Sequence, residues 1–181
     1  EMREEIRRIH AQTDLTTIYV THDQKEALSL AQRMAILRDG RVEQIGPPRE
    51  VYEDPGNRFI AEFIGQTNLL AGEIVGSNGN GVWEVRTACG VLRVASRREF
   101  RAGEQVACSI RPEAVRLDVR NGDNVLRARH IHTTYLGEQE QVQLELQPSG
   151  EAFLLFRWSQ GLQRATSPDE VAVAVSPSSV R

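Results

Sequence analysis

Apolar and polar positions change their period near residue 66, so the chain reads as two stretches. In the first, Met2, Ile6 and Ile9 fall on one helical face, with Glu4 and Arg8 spaced for an i,i+4 ion pair. Thr16 to Thr21 is β-branched and aromatic without polar alternation, which predicts a short strand covered on both faces. Asp23 then stands where an N-cap belongs and Glu26 three residues on, an Asx version of the capping box. Ala27, Leu30, Ala31 and Met34 supply that helix with an apolar stripe. Met34 to Leu37 reads as a strand, Asp39-Gly40 as a tight turn and Arg41 to Ile45 as the returning strand of a hairpin. Gly46 breaks that strand, and Pro47-Pro48 can start a helix over Arg49 to Glu53 that Asp54-Pro55-Gly56 ends. Asn57 can cap a last helix carrying Phe59, Ile60, Phe63 and Ile64, closed by Gly65.

From residue 66 the pattern is β throughout. Turn signals recur at Asn78-Gly79-Asn80-Gly81, Ala88-Cys89-Gly90, Ala102-Gly103, Asn121-Gly122-Asp123 and Ser149-Gly150. Between them, Val106, Cys108 and Ile110 share a face, as do Val171, Val173 and Val175. Val142, Leu144 and Leu146 make a third apolar row, with Gln141, Gln143 and Glu145 facing away. Many short strands at roughly 8–12-residue spacing point to a barrel or sandwich, and the length fits one or two small OB-like barrels.

Composition narrows the function classes. The chain has 181 residues, 40% of them hydrophobic and 26% charged, enough for a real core in one or two domains. A net charge of −3 gives no general attraction for nucleic acid or anionic membrane. A nucleic-acid-binding OB-fold would need a basic groove with interleaved aromatics, whereas aromatics are only 6%. Cys89 and Cys108 lack CxxC spacing and read as small core residues of a reducing compartment. No apolar run is long enough for a membrane span and no signal peptide is evident. The chain opens on Glu1 inside a helix without an initiator methionine, and is expected to be a piece of something longer. Among the 22 basic residues Lys25 is the sole lysine, lying between Gln24 and Glu26. A phosphate-cradling P-loop needs GxxxxGK[ST], so this chain contains none.

Candidate chemistry centres on His22. A histidine at the end of a buried strand, with a capped helix directly behind it, faces the mouth of an α/β sheet, where phosphate ligands dock. His130 and His132 fall at i,i+2 on one face of a predicted strand, half of a metal site, but no third ligand follows at a convincing spacing. Arg97, Arg98 and Arg101 form a local basic patch that reads as a charged surface turn. Trp83 and Trp158 are expected in a barrel core.

The segments Thr16-Thr17-Ile18-Tyr19-Val20-Thr21-His22-Asp23-Gln24-Lys25-Glu26-Ala27, Met34 to Val42, Gly46-Pro47-Pro48, Val51 to Pro55 and Phe59 to Gly65 together resemble the C-terminal third of an ABC-importer ATPase. The subfamily they are most similar to is the polyamine, ferric-iron and sugar-phosphate importer type, which carries a C-terminal regulatory domain of OB-like barrels called TOBE. Ile110-Arg111-Pro112-Glu113 resembles its recurring Arg-Pro-Glu segment, and Tyr135-Leu136-Gly137 adds a looser match. The resemblance implies an α/β C-terminal remnant of a P-loop nucleotide-binding domain over residues 1–65, followed by an all-β OB-like TOBE domain over 66–181.

It also implies that His22 is the catalytic switch histidine, which in the family contacts the γ-phosphate and helps position the attacking water. The P-loop, the Leu-Ser-Gly-Gly-Gln signature and the Walker B acidic pair are absent, and Leu28-Ser29-Leu30-Ala31-Gln32 echoes the signature without its glycines. On this resemblance the parent couples hydrolysis of ATP with Mg to solute uptake, while this fragment holds no cofactor or metal and does not hydrolyse ATP alone. Its expected partners are a second copy of itself and integral membrane permease subunits, with no nucleic acid. The expected location is cytoplasmic, peripheral on the inner face of the plasma membrane. An alternative role for residues 66–181 is a module that senses a small oxyanion or sugar.

Overall fold

In the computed structural model, which describes residues 2–13, 15–117, 119, 121–159 and 170–181, the chain divides into two units, Glu1–Gly65 and Gln66–Arg181. The first unit holds helices α1 (Met2–Thr13), α2 (Gln24–Leu30), α3 (Pro48–Glu53) and α4 (Arg58–Phe63), with strands β1 (Met34–Arg38) and β2 (Arg41–Gly46). The hairpin forms as the sequence dictates: Asp39 and Gly40 both take positive φ, 50° and 74°, the requirement of a turn that matches strand twist. Asn57 caps α4 by accepting from the Ile60 N–H at 2.9 Å. Met34 and Ile36 of β1 pack with Val51, Ile60 and Ile64 to make a small core, flanked by Ala27, Leu28 and Ala31. Met34 thus serves the core from β1 rather than from the α2 stripe, because α2 ends at Leu30. On α1, Arg8 donates to Glu5 at i,i+3, and Arg7 donates to the Ser29 carbonyl.

One predicted element does not form. Residues 15–21 belong to no strand or helix, and Leu15, Ile18 and Val20 are exposed, the last at 90%. A strand apolar on both faces needs neighbours on both edges and layers above and below. Among the described residues no strand pairs with it, so the β-forming sequence remains an unpaired ribbon.

The second unit contains nine strands among its described residues: β3 (Asn68–Ser77), β4 (Val82–Thr87), β5 (Gly90–Ala95), β6 (Gln105–Ile110), β7 (Arg116–Leu117), β8 (Val125–Tyr135), β9 (Gln139–Gln147), β10 (Ala152–Trp158) and β11 (Glu170–Ala174). They form two sheets with orders β5-β4-β3-β6 and β10-β9-β8-β11-β7. The orders reveal an internal repeat that the sequence does not display: β3 to β6 and β8 to β11 have the same topology. Each repeat starts with a long strand, bulged between Ile74 and Gly76 in the first and between His130 and His132 in the second. Each ends in a one-turn 3-10 helix opened by proline, Pro112–Ala114 and Pro177–Ser179. These turns are exchanged, the first lying against β10 and the second against β5.

The sheets share one core. Leu70, Ile74, Val85, Leu92, Cys108 and Ile110 meet Leu126, Val142, Leu144, Leu146, Phe153 and Val173 in a nearly closed barrel. Val142, Leu144 and Leu146 are all buried, as their alternation requires. Gly72 marks the tightest approach, because a Cβ there would sit 2.5 Å from Val85 Cγ1 and 2.9 Å from the Arg86 carbonyl. Corner closure is polar. Asn68 at the head of β3 bonds the backbone of Leu154 on β10, and Asn124 just before β8 bonds the backbone of Arg93 on β5. Beside Asn68, its cross-strand partner Ile110 bridges Val180, and Ser109 and Arg181 exchange backbone bonds.

Candidate functional site

His22 is exposed at the junction between the unpaired ribbon and α2. The turn that carries it is tightly bonded. Asp23 caps α2, its Oδ1 accepting from the Lys25 N–H at 2.8 Å and the Glu26 N–H at 3.2 Å. The reciprocal half of the predicted capping box is replaced. Instead of reaching the Asp23 N–H, Glu26 Oε2 accepts from the Thr21 hydroxyl at 2.8 Å and the Tyr19 hydroxyl at 3.0 Å. The Asp23 N–H donates to Thr21 Oγ1 at 3.0 Å. A hydroxyl inserted between carboxylate and amide satisfies both, since a threonine hydroxyl donates once and still accepts. Sequence reading found Asp23 and Glu26 as caps but missed Thr21 and Tyr19, whose signal was hidden in the β-branched run.

Behind the turn, Gln24 Oε1 accepts from the Gly65 N–H at 3.0 Å, tying the start of α2 to the last residue of its unit. Gly65 takes φ 86°, the left-handed geometry that ends α4. Lys25 is exposed. Among the described residues no group of three His, Cys, Asp or Glu side chains is placed to hold a metal ion.

The other candidates are dispersed. The bulge in β8 separates the histidines that a regular strand would have placed together: His130 lies opposite the inward Leu144, His132 opposite the outward Gln143. His130 Nε2 and Thr133 Oγ1 are 2.8 Å apart, and His132 is exposed. The expectation that the two share a face is therefore wrong, since a single extra residue reverses the pleat. Arg98 pairs with Glu104 at 2.8 Å and lies 4.9 Å over the Phe100 ring, which meets Trp83 edge-on. Trp83 packs on the core as expected, but Trp158 at the end of β10 is 66% exposed. Burial pushes the Cys108 thiol up to about 12. At Cys89 burial also raises the thiol, opposed by a hydrogen bond with Thr87. Neither is a thiolate near neutral pH.

Comparison with known proteins covers nearly the whole chain. Residues 108–181 match the TOBE domain model. Spermidine/putrescine import ATP-binding protein PotA 1 of Pseudomonas aeruginosa is 39% identical over 171 residues, which is 94% of this chain and 46% of that protein. The PotA of Rubrobacter xylanophilus is 38% identical over 97% of this chain, again 46% of the relative. The chain thus spans about half the length of the curated relatives it matches. Among solved structures, the cytoplasmic molybdate-binding protein ModG, determined with molybdate bound, superposes with a TM-score of 0.54 at 15% identity. It covers 63% of this chain and 93% of that one, a likeness of fold.

Proposed function

Because the chain corresponds to the C-terminal part of an ABC-importer ATP-binding subunit carrying a TOBE domain, we propose that residues 1–65 are the switch-histidine end of its nucleotide-binding domain. Residues 66–181 are then its regulatory unit. The observation that carries this reading is similarity to import ATP-binding proteins over 94–97% of the chain, a span that takes in both units. In the longer subunit His22 is the catalytic residue of this segment, a single imidazole donor held at an exposed turn where phosphate charge develops. The polyamines named for the relatives are the proposed class of solute. The proposed partners are a second copy and integral permease subunits at the cytoplasmic face of the membrane. No described helix is long and apolar enough to cross a membrane itself.

The residues present do not fit a nucleotide by themselves. The only lysine, Lys25, is an exposed member of the first turn of α2, and among the described residues no Gly-rich loop opens a helix. Bound ATP would find one imidazole and no cradle, so no hydrolytic step is assigned to this chain alone. The test is titration of the 181-residue chain with ATP and Mg beside the longer subunit. The chain is expected to show no saturable binding; a defined stoichiometry and affinity for it would overturn the reading.

A second reading, sensing of a small oxyanion by residues 66–181, draws on the fold shared with a molybdate-binding protein. Calorimetry with molybdate, sulfate and sugars separates it from a purely structural or dimerising role. Pairing of the β10 or β5 edge with a second copy would have to bypass or displace the bonds that Asn68 and Asn124 make at Leu154 and Arg93.

A further inference from the structure

We infer that Glu26 is a positioning residue for His22, a role that rests on the reading of His22 just given. The turn is a closed ring of three hydrogen bonds. The Glu26 N–H donates to Asp23 Oδ1 at 3.2 Å, the Asp23 N–H to Thr21 Oγ1 at 3.0 Å, and the Thr21 hydroxyl to Glu26 Oε2 at 2.8 Å. His22 is the residue bracketed by this ring, between Thr21 and Asp23. Its backbone is held from both sides while its side chain is exposed.

Two bonds of the ring are donated by backbone amides, and the direction of the third, from the Thr21 hydroxyl, is set by Glu26. An ionised carboxylate only accepts, so the single Thr21 hydroxyl hydrogen must point to it, which leaves the Thr21 lone pair for the Asp23 amide. The same Oε2 takes the Tyr19 hydroxyl at 3.0 Å. One oxygen therefore anchors two positions of the ribbon leading into His22. That ribbon has no strand partner among the described residues, so side-chain anchoring is what fixes its exit. Helix capping does not account for Glu26, because Asp23 alone supplies the cap and Glu26 does not contact the N-cap amide.

A carboxamide keeps the acceptor and a methyl does not, which makes the role separable from charge. In the full 181-residue chain, Glu26→Ala is expected to speed hydrogen exchange at the Asp23 amide by about tenfold or more, as opening of one local bond allows. Glu26→Gln should stay within about twofold of the parent, while Thr21→Val should match Glu26→Ala. Exchange at Ile64, buried in the core of the same unit with its N–H bonded to the Ile60 carbonyl, serves as the folding control. In the longer ATP-binding subunit, Glu26→Ala should lower kcat by about tenfold with KM for nucleotide unchanged, and Glu26→Gln should recover most of it. Asp23 exchange unaffected by Glu26→Ala, or Glu26→Gln as defective as Glu26→Ala, would overturn the inference. If His22→Ala leaves kcat intact, the functional reading falls and the catalytic part of this role with it, whatever the exchange data show.

Discussion

Asn68 makes with Leu154 the two hydrogen bonds that a neighbouring strand would make. Its Oδ1 accepts from the Leu154 N–H at 2.6 Å, and its Nδ2 donates to the Leu154 carbonyl at 2.8 Å. Asn124 repeats the device in the other half, with the Arg93 N–H at 2.6 Å and the Arg93 carbonyl at 2.8 Å. Each repeat thereby satisfies, with one side chain, one residue on the edge strand of its twin. Both asparagines are buried, at 5% and 8% exposure, so losing either amide would leave part-buried backbone groups without these partners.

Asn68→Ala and Asn124→Ala are each expected to destabilise the second unit by roughly 1–3 kcal/mol, the cost of leaving buried polar groups unpaired. The two corners are separate, so the double variant should lose about the sum. Urea unfolding followed by tryptophan fluorescence measures both. A loss below a few tenths of a kcal/mol would show that water takes over the amide's role.

At Gly72 the added methyl of Gly72→Ala would press on Val85 and on the Arg86 carbonyl. Overpacking of this kind typically costs about 1–3 kcal/mol, with part of the strain falling on backbone that cannot rotate away. Gly76 on the same strand meets nothing closer than 3.8 Å. Gly76→Ala is therefore the matched control, and the two midpoints should separate clearly.

Cys108 gives the stability of the barrel an alkaline limit. Burial raises its thiol from an ordinary 9.0 to about 12, so the folded state keeps a proton that the unfolded chain releases. The contribution is fully present below about pH 9 and is lost as pH rises toward 12, at up to about 1.4 kcal/mol per pH unit. Cys108→Ala should flatten that part of the profile, while paying a smaller, pH-independent cavity cost. Equal slopes for parent and variant between pH 9 and pH 11 would count against the assignment.

His22→Ala should leave the unfolding of the chain within about 0.5 kcal/mol of the parent, as expected for an exposed side chain away from core and caps. In the longer subunit the same substitution should abolish most ATP hydrolysis while nucleotide still binds. A large stability loss in the chain would make His22 a structural residue.

Local chemistry was written into particular residues. Asp39-Gly40 names its hairpin turn, Asn57 its helix cap, and Val142, Leu144 and Leu146 their inward face, because each depends only on neighbours in sequence. The exclusion of a P-loop followed from one lysine in the wrong place. His22 was legible as a candidate for the same reason: the residues that mark it are contiguous. Three features waited for the tertiary structure. The Thr16–Thr21 ribbon has strand sequence but no strand, since pairing needs partners that propensity cannot supply. The bulge that parts His130 from His132 is a property of register against β9, invisible in β8 itself. The repeat, with Asn68 and Asn124 joining halves distant in sequence, arises because edge groups must be satisfied wherever the chain brings an acceptor and a donor together.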